Sequence, residues 1–324
     1  MDKYLITGFS GFVGRHFLDY LSALNIPAIV LGVDIALPDF NLDRLNHVQC
    51  DFQKLDLLDR DEIRKVISRF QPNYILHLAS YSSVAFSWAN PVNSFQNNTN
   101  IFLNVLDAIH SVNAGTRILS VGSSEEYGDL TEANTVFHEE DALHPVSPYA
   151  VARVSQEMLS KVYAKGYGLD IVMTRSFNHI GPGQKDIFVV ASFAKRLVEM
   201  KKQGAASPKL ITGEISLIRD FVDVRDVVRA YDGLLKKGRQ GEIYNICSGT
   251  GYRLKDIIEQ LTSILDMKVT TETDEKLIRP NDNRIIIGSN EKIKCDIGWV
   301  PEIPLRQSLE DVINFWIQRQ LNSK

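Results

Sequence analysis

The chain has 324 residues, 44% of them hydrophobic and 23% charged, with a formal net charge of −4 and a pI of about 6.0. That is enough apolar material for one large core or two modest ones, and the mild acidity argues against a nucleic-acid footprint or a polybasic membrane patch. No apolar stretch reaches the roughly 18 residues of a membrane span.

The first strand-like run begins within three residues of the N-terminus, so no signal peptide is expected. Cys50, Cys247 and Cys295 are odd in number, far apart and without Cys-x-x-Cys or histidine spacing. The expectation is reduced thiols in a cytoplasmic protein with no metal site.

In chain order, the apolar run Tyr4-Leu5-Ile6 leads into Thr7-Gly8-Phe9-Ser10-Gly11-Phe12-Val13-Gly14. Val13, Phe17, Tyr20, Leu21 and Leu24 then recur at helical spacing. A strand, a glycine turn and a helix N-terminus together make a pocket for a pyrophosphate. Gly8 permits the turn, Gly11 lets backbone approach phosphate without a Cβ, and Gly14 lets the helix pack on the strand.

Ala28-Ile29-Val30-Leu31-Gly32-Val33 reads as a buried strand closed by Asp34, twenty positions after Gly14. A carboxylate there accepts hydrogen bonds from adenosine ribose hydroxyls and repels a 2′-phosphate, so NAD(H) is expected over NADP(H). Arg15, which could reach a 2′-phosphate, keeps NADP(H) as the alternative.

Asn41 to Lys54 fits no short connection and reads as an excursion before Asp56-Leu57-Leu58-Asp59, a rim for the adenine. Beyond it, Ile63, Val66, Ile67 and Phe70 mark a helix, and Tyr74 to Leu78 a strand. Ile101, Val105, Ala108 and Ile109 mark the next helix, Arg117 to Val121 the next strand. A helix from about Pro148 to Tyr163 and a strand Asp170 to Thr174 follow. This alternation predicts an α/β fold, a doubly wound parallel sheet with ligands beyond the carboxyl ends of its strands.

After Asn178 the texture changes. Helical patterns run over Val189 to Met200, Val224 to Leu235 and Leu254 to Leu265. Short strand candidates are Lys209 to Ile211, Ile243 to Ile246 and Arg284 to Ile287. The expectation is a smaller mixed α/β C-terminal substrate lobe, some of whose segments return to the main sheet.

Two further features carry chemistry. Ser147-Pro148-Tyr149-Ala150-Val151-Ala152-Arg153 puts a phenol and a cation one helical turn apart. A phenol has a pKa near 10 and needs a fixed positive neighbour to trade protons near neutrality, as ketone reduction by a nicotinamide requires. Val121-Gly122-Ser123-Ser124 supplies a hydroxyl at a strand's carboxyl end for the same carbonyl.

These features, with Gly122-Ser123-Ser124-Glu125-Glu126-Tyr127-Gly128, Phe177 to Gln184, Arg219 to Asp226 and Arg279-Pro280, make the whole chain resemble the extended short-chain dehydrogenase/reductase family. More narrowly, it resembles the GDP-6-deoxy-4-keto-hexose reductases, close relatives of the GDP-mannose 4,6-dehydratases. The resemblance implies a Rossmann domain over 1–176, with returning segments near 215–248, and a discontinuous nucleotide-sugar lobe over 177–324.

It also implies a catalytic set of Ser123, Tyr149, Arg153 and Glu125, with Tyr149 the proton donor. The implied cofactor contacts are Gly8, Phe9, Ser10, Gly11, Phe12, Gly14, Asp34, Asp56, Leu57, Leu78, Ala79, Asn98, Tyr149 and Arg153. Asn98 has an N-cap role as its alternative. Ser124, Asn178, Arg219 and Arg279 would hold a GDP-sugar.

Implied, too, is reduction at C4 of a GDP-linked 4-keto-6-deoxy hexose or heptose for surface glycans, by a homodimer pairing the helices that start near Asn98 and Pro148. The family has lysine where this chain has Arg153, which keeps the charge but changes its shape. A 4,6-dehydratase or 4-epimerase, and a catalytically silent NAD-binding regulator, are the readings left open.

Overall fold

Six strands and their connecting helices alternate along the first half of the chain. The strands are β1 (Asp2–Thr7), β2 (Ala28–Asp34), β3 (Val48–Lys54), β4 (Tyr74–His77), β5 (Arg117–Ser123) and β6 (Ile171–Ser176). The helices between them are α1 (Phe12–Ala23), α2 (Arg60–Phe70), α3 (Val84–Ala89), α4 (Pro91–Phe95), α5 (Ile101–Ser111) and α6 (Pro148–Tyr167). The computed structural model describes residues 1–42, 45–112, 115–130, 135–204, 208–278 and 281–321.

Beyond β6 come β7 (Asn178–Ile180), α7 (Val189–Gln203), β8 (Lys209–Thr212), β9 (Ile218–Asp223), α8 (Val224–Lys237) and β10 (Ile243–Ile246). The chain then adds β11 (Gly251–Arg253), α9 (Leu254–Ile264), β12 (Thr270–Thr273), β13 (Ile285–Ile286), α10 (Glu291–Ile297) and α11 (Leu305–Leu321).

The main sheet is parallel throughout, in the order β10-β6-β5-β4-β1-β2-β3. Its order reverses between β1 and β4, so their carboxyl ends frame the crevice where such sheets bind ligands. A parallel sheet must be covered on both faces. Phe17, Leu18 and Leu21 of α1 join Val227, Tyr231 and Leu234 of α8 on one face. Ile63 and Ile67 of α2, with Phe102, Val105 and Leu106 of α5, cover the other.

The second lobe has its own core, in which Phe193 and Leu197 of α7, Ile257 and Leu261 of α9, and Leu309 and Trp316 of α11 meet. Its central strand β9 pairs with β11 antiparallel and with β7 and β13 in parallel, while β8 and β12 form a separate pair. The chain crosses between the cores repeatedly: β9 lies in this lobe, and β10 closes the edge of the main sheet. Among the described residues no helix is long and apolar enough to cross a membrane.

The α/β doubly wound sheet and the mixed second lobe agree with the sequence. The expected excursion over 41–54 does not, because 48–54 is the edge strand β3. Only Val48 of β3 is buried, so it lacks the apolar run of an inner parallel strand. The strand expected over Arg284 to Ile287 shortens to the two residues of β13.

Behind β6, Arg175 is buried and bonds Glu157 of α6 through two nitrogens, at 2.8 and 2.9 Å. Burial raises the Glu157 pKa, but Arg175 and then Lys161 outweigh it and leave the carboxyl below its ordinary value. Removing one partner of a buried pair strands a charge. Glu157→Ala is therefore expected to cost about 3–5 kcal/mol in urea unfolding. A loss below about 1 kcal/mol would mean that the pair does not brace α6 against β6.

Candidate active site

The glycine turn sits at the sheet's reversal point. Gly8 has φ of 67°, in the left-handed region, and a Cβ on it would lie 2.6 Å from the Ala79 backbone nitrogen. A Cβ on Gly14 would lie 2.4 Å from the Phe9 carbonyl oxygen. Only glycine fits at either place. Helix α1 begins at Gly11 with no side-chain cap and no acidic residue in its first turn, so its first N–H groups face the crevice unsatisfied by protein side chains. That cradle fits a dinucleotide pyrophosphate.

The remaining cofactor expectations divide by geometry. Asp34 accepts hydrogen bonds from the Ser10 N–H at 3.0 Å and the Ala36 N–H at 3.1 Å, which fixes its carboxylate beside the turn. A carboxylate has about four lone-pair sites, so ribose hydroxyls can still bond it. Leu55 follows β3 and donates its N–H to the Asp34 carbonyl, putting Asp56 and Leu57 on the neighbouring rim. Leu78 and Ala79 are held over Gly8 by hydrogen bonds to the Thr7 carbonyl and hydroxyl.

Phe9 differs, since its ring is fully buried against Phe40 and Phe52, which leaves only its backbone for a ligand. Phe12 turns towards Gly181 and stacks edge-on with His16. Asn98 is fully buried within a π-helical turn (Gln96–Asn100) that continues into α5. It is not an N-cap. Its amide accepts from the Tyr81 N–H at 2.8 Å and donates to the Tyr81 carbonyl at 3.1 Å, pinning the loop after β4.

Ser147 caps α6 and Pro148 occupies its first turn, which fixes the direction in which Tyr149 leaves the helix. Tyr149 and Arg153 are both buried. Arg153 Nε donates to the Tyr149 hydroxyl at 3.2 Å, and its Nη1 donates to the Val121 carbonyl at 3.0 Å and to Gln156 Oε1 at 2.6 Å. Gln156 in turn donates to Ser120 Oγ and the Val121 carbonyl. These bonds tie the helix carrying the phenol to the end of β5, two residues before Ser123.

Opposite them stands the second lobe. Asn178 opens β7 and donates weakly to the Asp220 carbonyl at 3.4 Å. Arg219 on β9 is nearly buried and pairs with Asp282 at 2.8 Å. Its neighbour Asp220 accepts from Ser248 Oγ and from the N–H groups of Ser248, Gly249 and Gly288. Burial nonetheless pushes Asp220 up to about 6.

Asn283 donates to Glu125 Oε2 at 3.1 Å, so the segment after 280 bridges β9 and the turn beyond β5. Ser124 is buried in that turn. Arg279 lies outside the described residues.

A family model described as GDP-mannose 4,6 dehydratase matches residues 5–312. The chain belongs to that family. Within it, the chain is 34% identical to a GDP-6-deoxy-D-mannose reductase of Pseudomonas aeruginosa over 98% of both chains. It is 26% identical to a dTDP-glucose 4,6-dehydratase of Haemophilus influenzae, again over 98% of each.

Two solved structures match closely. RMD from Pseudomonas aeruginosa complexed with NADPH superposes with a TM-score of 0.85 at 33% identity, covering 98% of this chain and 100% of that one. A UDP-glucose 4-epimerase from Thermotoga maritima with UDP-glucose gives 0.85 at 28%, covering 98% and 99%.

Several residues that build the site gave no expectation beforehand. Gln156, Asn283 and Thr7 act through partners far away in sequence. Glu126 did carry a local sign, standing three residues after Ser123 as in a capping box. Two histidines are also part of the frame, His77 buried and His179 partly buried. His77 shares a hydrogen with Thr7 through Nδ1 at 2.9 Å, and His179 bonds the Tyr231 hydroxyl through Nε2 at 3.2 Å. Each leaves its other ring nitrogen without a partner.

Burial lowers His77 to about 3, with Arg153 adding to the effect, and lowers His179 to about 4. Both rings stay neutral in the folded chain while they protonate near pH 6.5 when unfolded. Their contribution is complete above 6.5 and is lost as pH falls towards 4, on the order of 2 kcal/mol for each at pH 4.5. The double variant H77Q/H179Q should flatten the fall in urea midpoint between pH 7 and 4.5. An unchanged slope would overturn the assignment.

Proposed function

We propose that this chain reduces the C4 ketone of a GDP-linked 4-keto-6-deoxy sugar, hexose or heptose, with NAD(P)H, giving a GDP-6-deoxy sugar for surface glycans. The observation that carries the reading is the hydrogen bond from Arg153 to the Tyr149 hydroxyl, at the sheet's carboxyl edge and near an uncapped helix N-terminus. Similarity along the whole length to a protein named GDP-6-deoxy-D-mannose reductase supports it.

A bound nicotinamide supplies the hydride. The protein's part is to hold the dinucleotide, place the ketone and manage one proton. The first N–H groups of α1 hold the pyrophosphate, and Asp34 accepts from the ribose. Asn178, Arg219 and Arg279 take the sugar and diphosphate, the guanidinium fork matching phosphate oxygens.

As charge grows on the ketone oxygen, Tyr149 gives it a proton and Ser123 donates a hydrogen bond to it. Arg153 then stabilises the phenolate left behind. A carboxylate at position 34 favours NADH, while exposed Arg15 and the NADPH bound by a similar protein support trying both coenzymes.

We also propose a cytoplasmic homodimer. Val92, Phe95, Val151, Met158 and Val162 leave apolar side chains exposed on α4 and α6, and Val92, Phe95 and Val151 line one shared hollow between these helices, as an apolar contact with a second copy would use. Light scattering should return twice the 36.5 kDa chain mass, and a monomer at micromolar concentration would refute the dimer.

For the activity itself, absorbance at 340 nm should fall when the ketone is added with NADH or NADPH, the NADH arm giving the higher kcat/KM. Tyr149→Phe should lower kcat by on the order of a thousandfold. A keto product formed from GDP-mannose without added reductant would instead favour a 4,6-dehydratase. Cofactor binding with no turnover of either sugar, in the wild type and in Arg153→Lys alike, would favour a regulator.

A further inference from the structure

Behind Ser123 lies a carboxyl group that the scheme above does not use. Ser124–Glu126 form one 3-10 turn after β5, and Ser123 caps it. Glu126 is fully buried, and its Oε1 accepts the Ser123 N–H at 2.7 Å. In return Ser123 Oγ accepts the Glu125 N–H at 3.3 Å and faces the Glu126 N–H as the other half of a capping box.

A hydroxyl has two acceptor sites and one proton to give. Backbone N–H groups engage the acceptor side of Ser123, so the proton is what remains for a ligand in the crevice. An apolar residue at position 126 would leave the Ser123 N–H buried and unpaired, loosening the same turn.

The packing shows that the carboxyl is fitted to this place. A Cβ on Gly122 would lie 2.5 Å from Glu126 Oε1 and 2.5 Å from the Thr174 carbonyl oxygen, so the glycine makes room for the acid. The charged groups facing Glu126 are Glu157 and Arg153 from α6 and Arg175 from β6. Lys161 stands behind Glu157, the Glu139 carbonyl behind Arg175, and Glu125 is its neighbour on the turn.

Glu126 Oε2 has no partner. Burial first, then Glu157, pushes Glu126 up to about 8. Near neutrality the group therefore carries a proton, and Oε2 is the oxygen free to hold it while Oε1 accepts from Ser123.

We propose that Glu126 is a positioning residue that turns Ser123 into a fixed hydrogen-bond donor for the reacting carbonyl oxygen. This rests on the reading of Ser123 as the partner of that oxygen. The test measures kcat, KM and urea midpoint for wild type, Glu126→Gln and Glu126→Ala, each also with Ser123→Ala, using the GDP-linked ketone and NADPH.

Glu126→Ala is expected to lower kcat by on the order of tenfold or more with little change in KM, since one misplaced donor costs that much. Glu126→Gln, which can still accept from the Ser123 N–H, should recover most of the loss. In the Ser123→Ala background Glu126→Ala should cost nothing further. Wild-type kcat should also bend near pH 8, with no bend in Glu126→Gln.

Equal losses in both backgrounds, or a glutamine as damaging as the alanine, would overturn the proposal. If Glu126→Ala does not fold, Glu126→Gln decides: whatever loss of kcat it shows should vanish in the Ser123→Ala background. Absence of wild-type turnover on the ketone counts against the reductase reading alone. The same cycle is then run on whichever conversion of GDP-mannose the wild type performs.

Discussion

The site depends on how one guanidinium distributes its donors. Arg153 reaches the Tyr149 hydroxyl, the Val121 carbonyl and Gln156 Oε1 from a single planar head. The first bond orients the phenol. The second holds α6 against the end of β5. The third fixes Gln156, which returns to the same strand through Ser120 and Val121. Without that head, α6 and β5 would keep only the Gln156 and Ser160 hydrogen bonds to the strand and their apolar packing, and the phenol would lose its own anchor, a shift that proton transfer does not tolerate.

Arginine at position 153, where the resemblance implies lysine, therefore offers a different kind of support rather than none. An ammonium is a compact charge on a flexible stem, able to lose its proton when buried. A guanidinium stays charged and offers a rigid fork of five donors. Three are used within the protein here. The cationic head also lies 5.3 Å from the centre of the Tyr149 ring, close enough for attraction to the ring face. Behind it the Glu157 carboxylate pairs with a second buried guanidinium at Arg175, so the region behind the site is a polar network rather than a hydrocarbon core.

Much of the fold and part of the site could be read from the residues, for a definite reason. The glycine turn, the acidic end of β2 and the Tyr149–Arg153 spacing are local patterns, each complete within one or two turns of chain. Buried parallel strands such as β6 announce themselves as apolar runs. The edge strand β3 did not, because half its surface is wet and its pattern is that of a polar loop. Asn283 meeting Glu125 and Arg219 meeting Asp282 depend on loops that return from far along the chain, and no local signal encodes them. Phe9 differs again, since within the glycine motif its side chain belongs to the core and only its backbone faces the turn.

Between β6 and β7 there is one residue, Phe177, and between β9 and α8 there is none. Phe177 is itself buried among Tyr127, Phe137 and Cys247. Joints this short and this packed couple the carboxyl edge of the main sheet directly to the second lobe. A change of packing around Phe177 is therefore passed to the residues on both sides of the crevice.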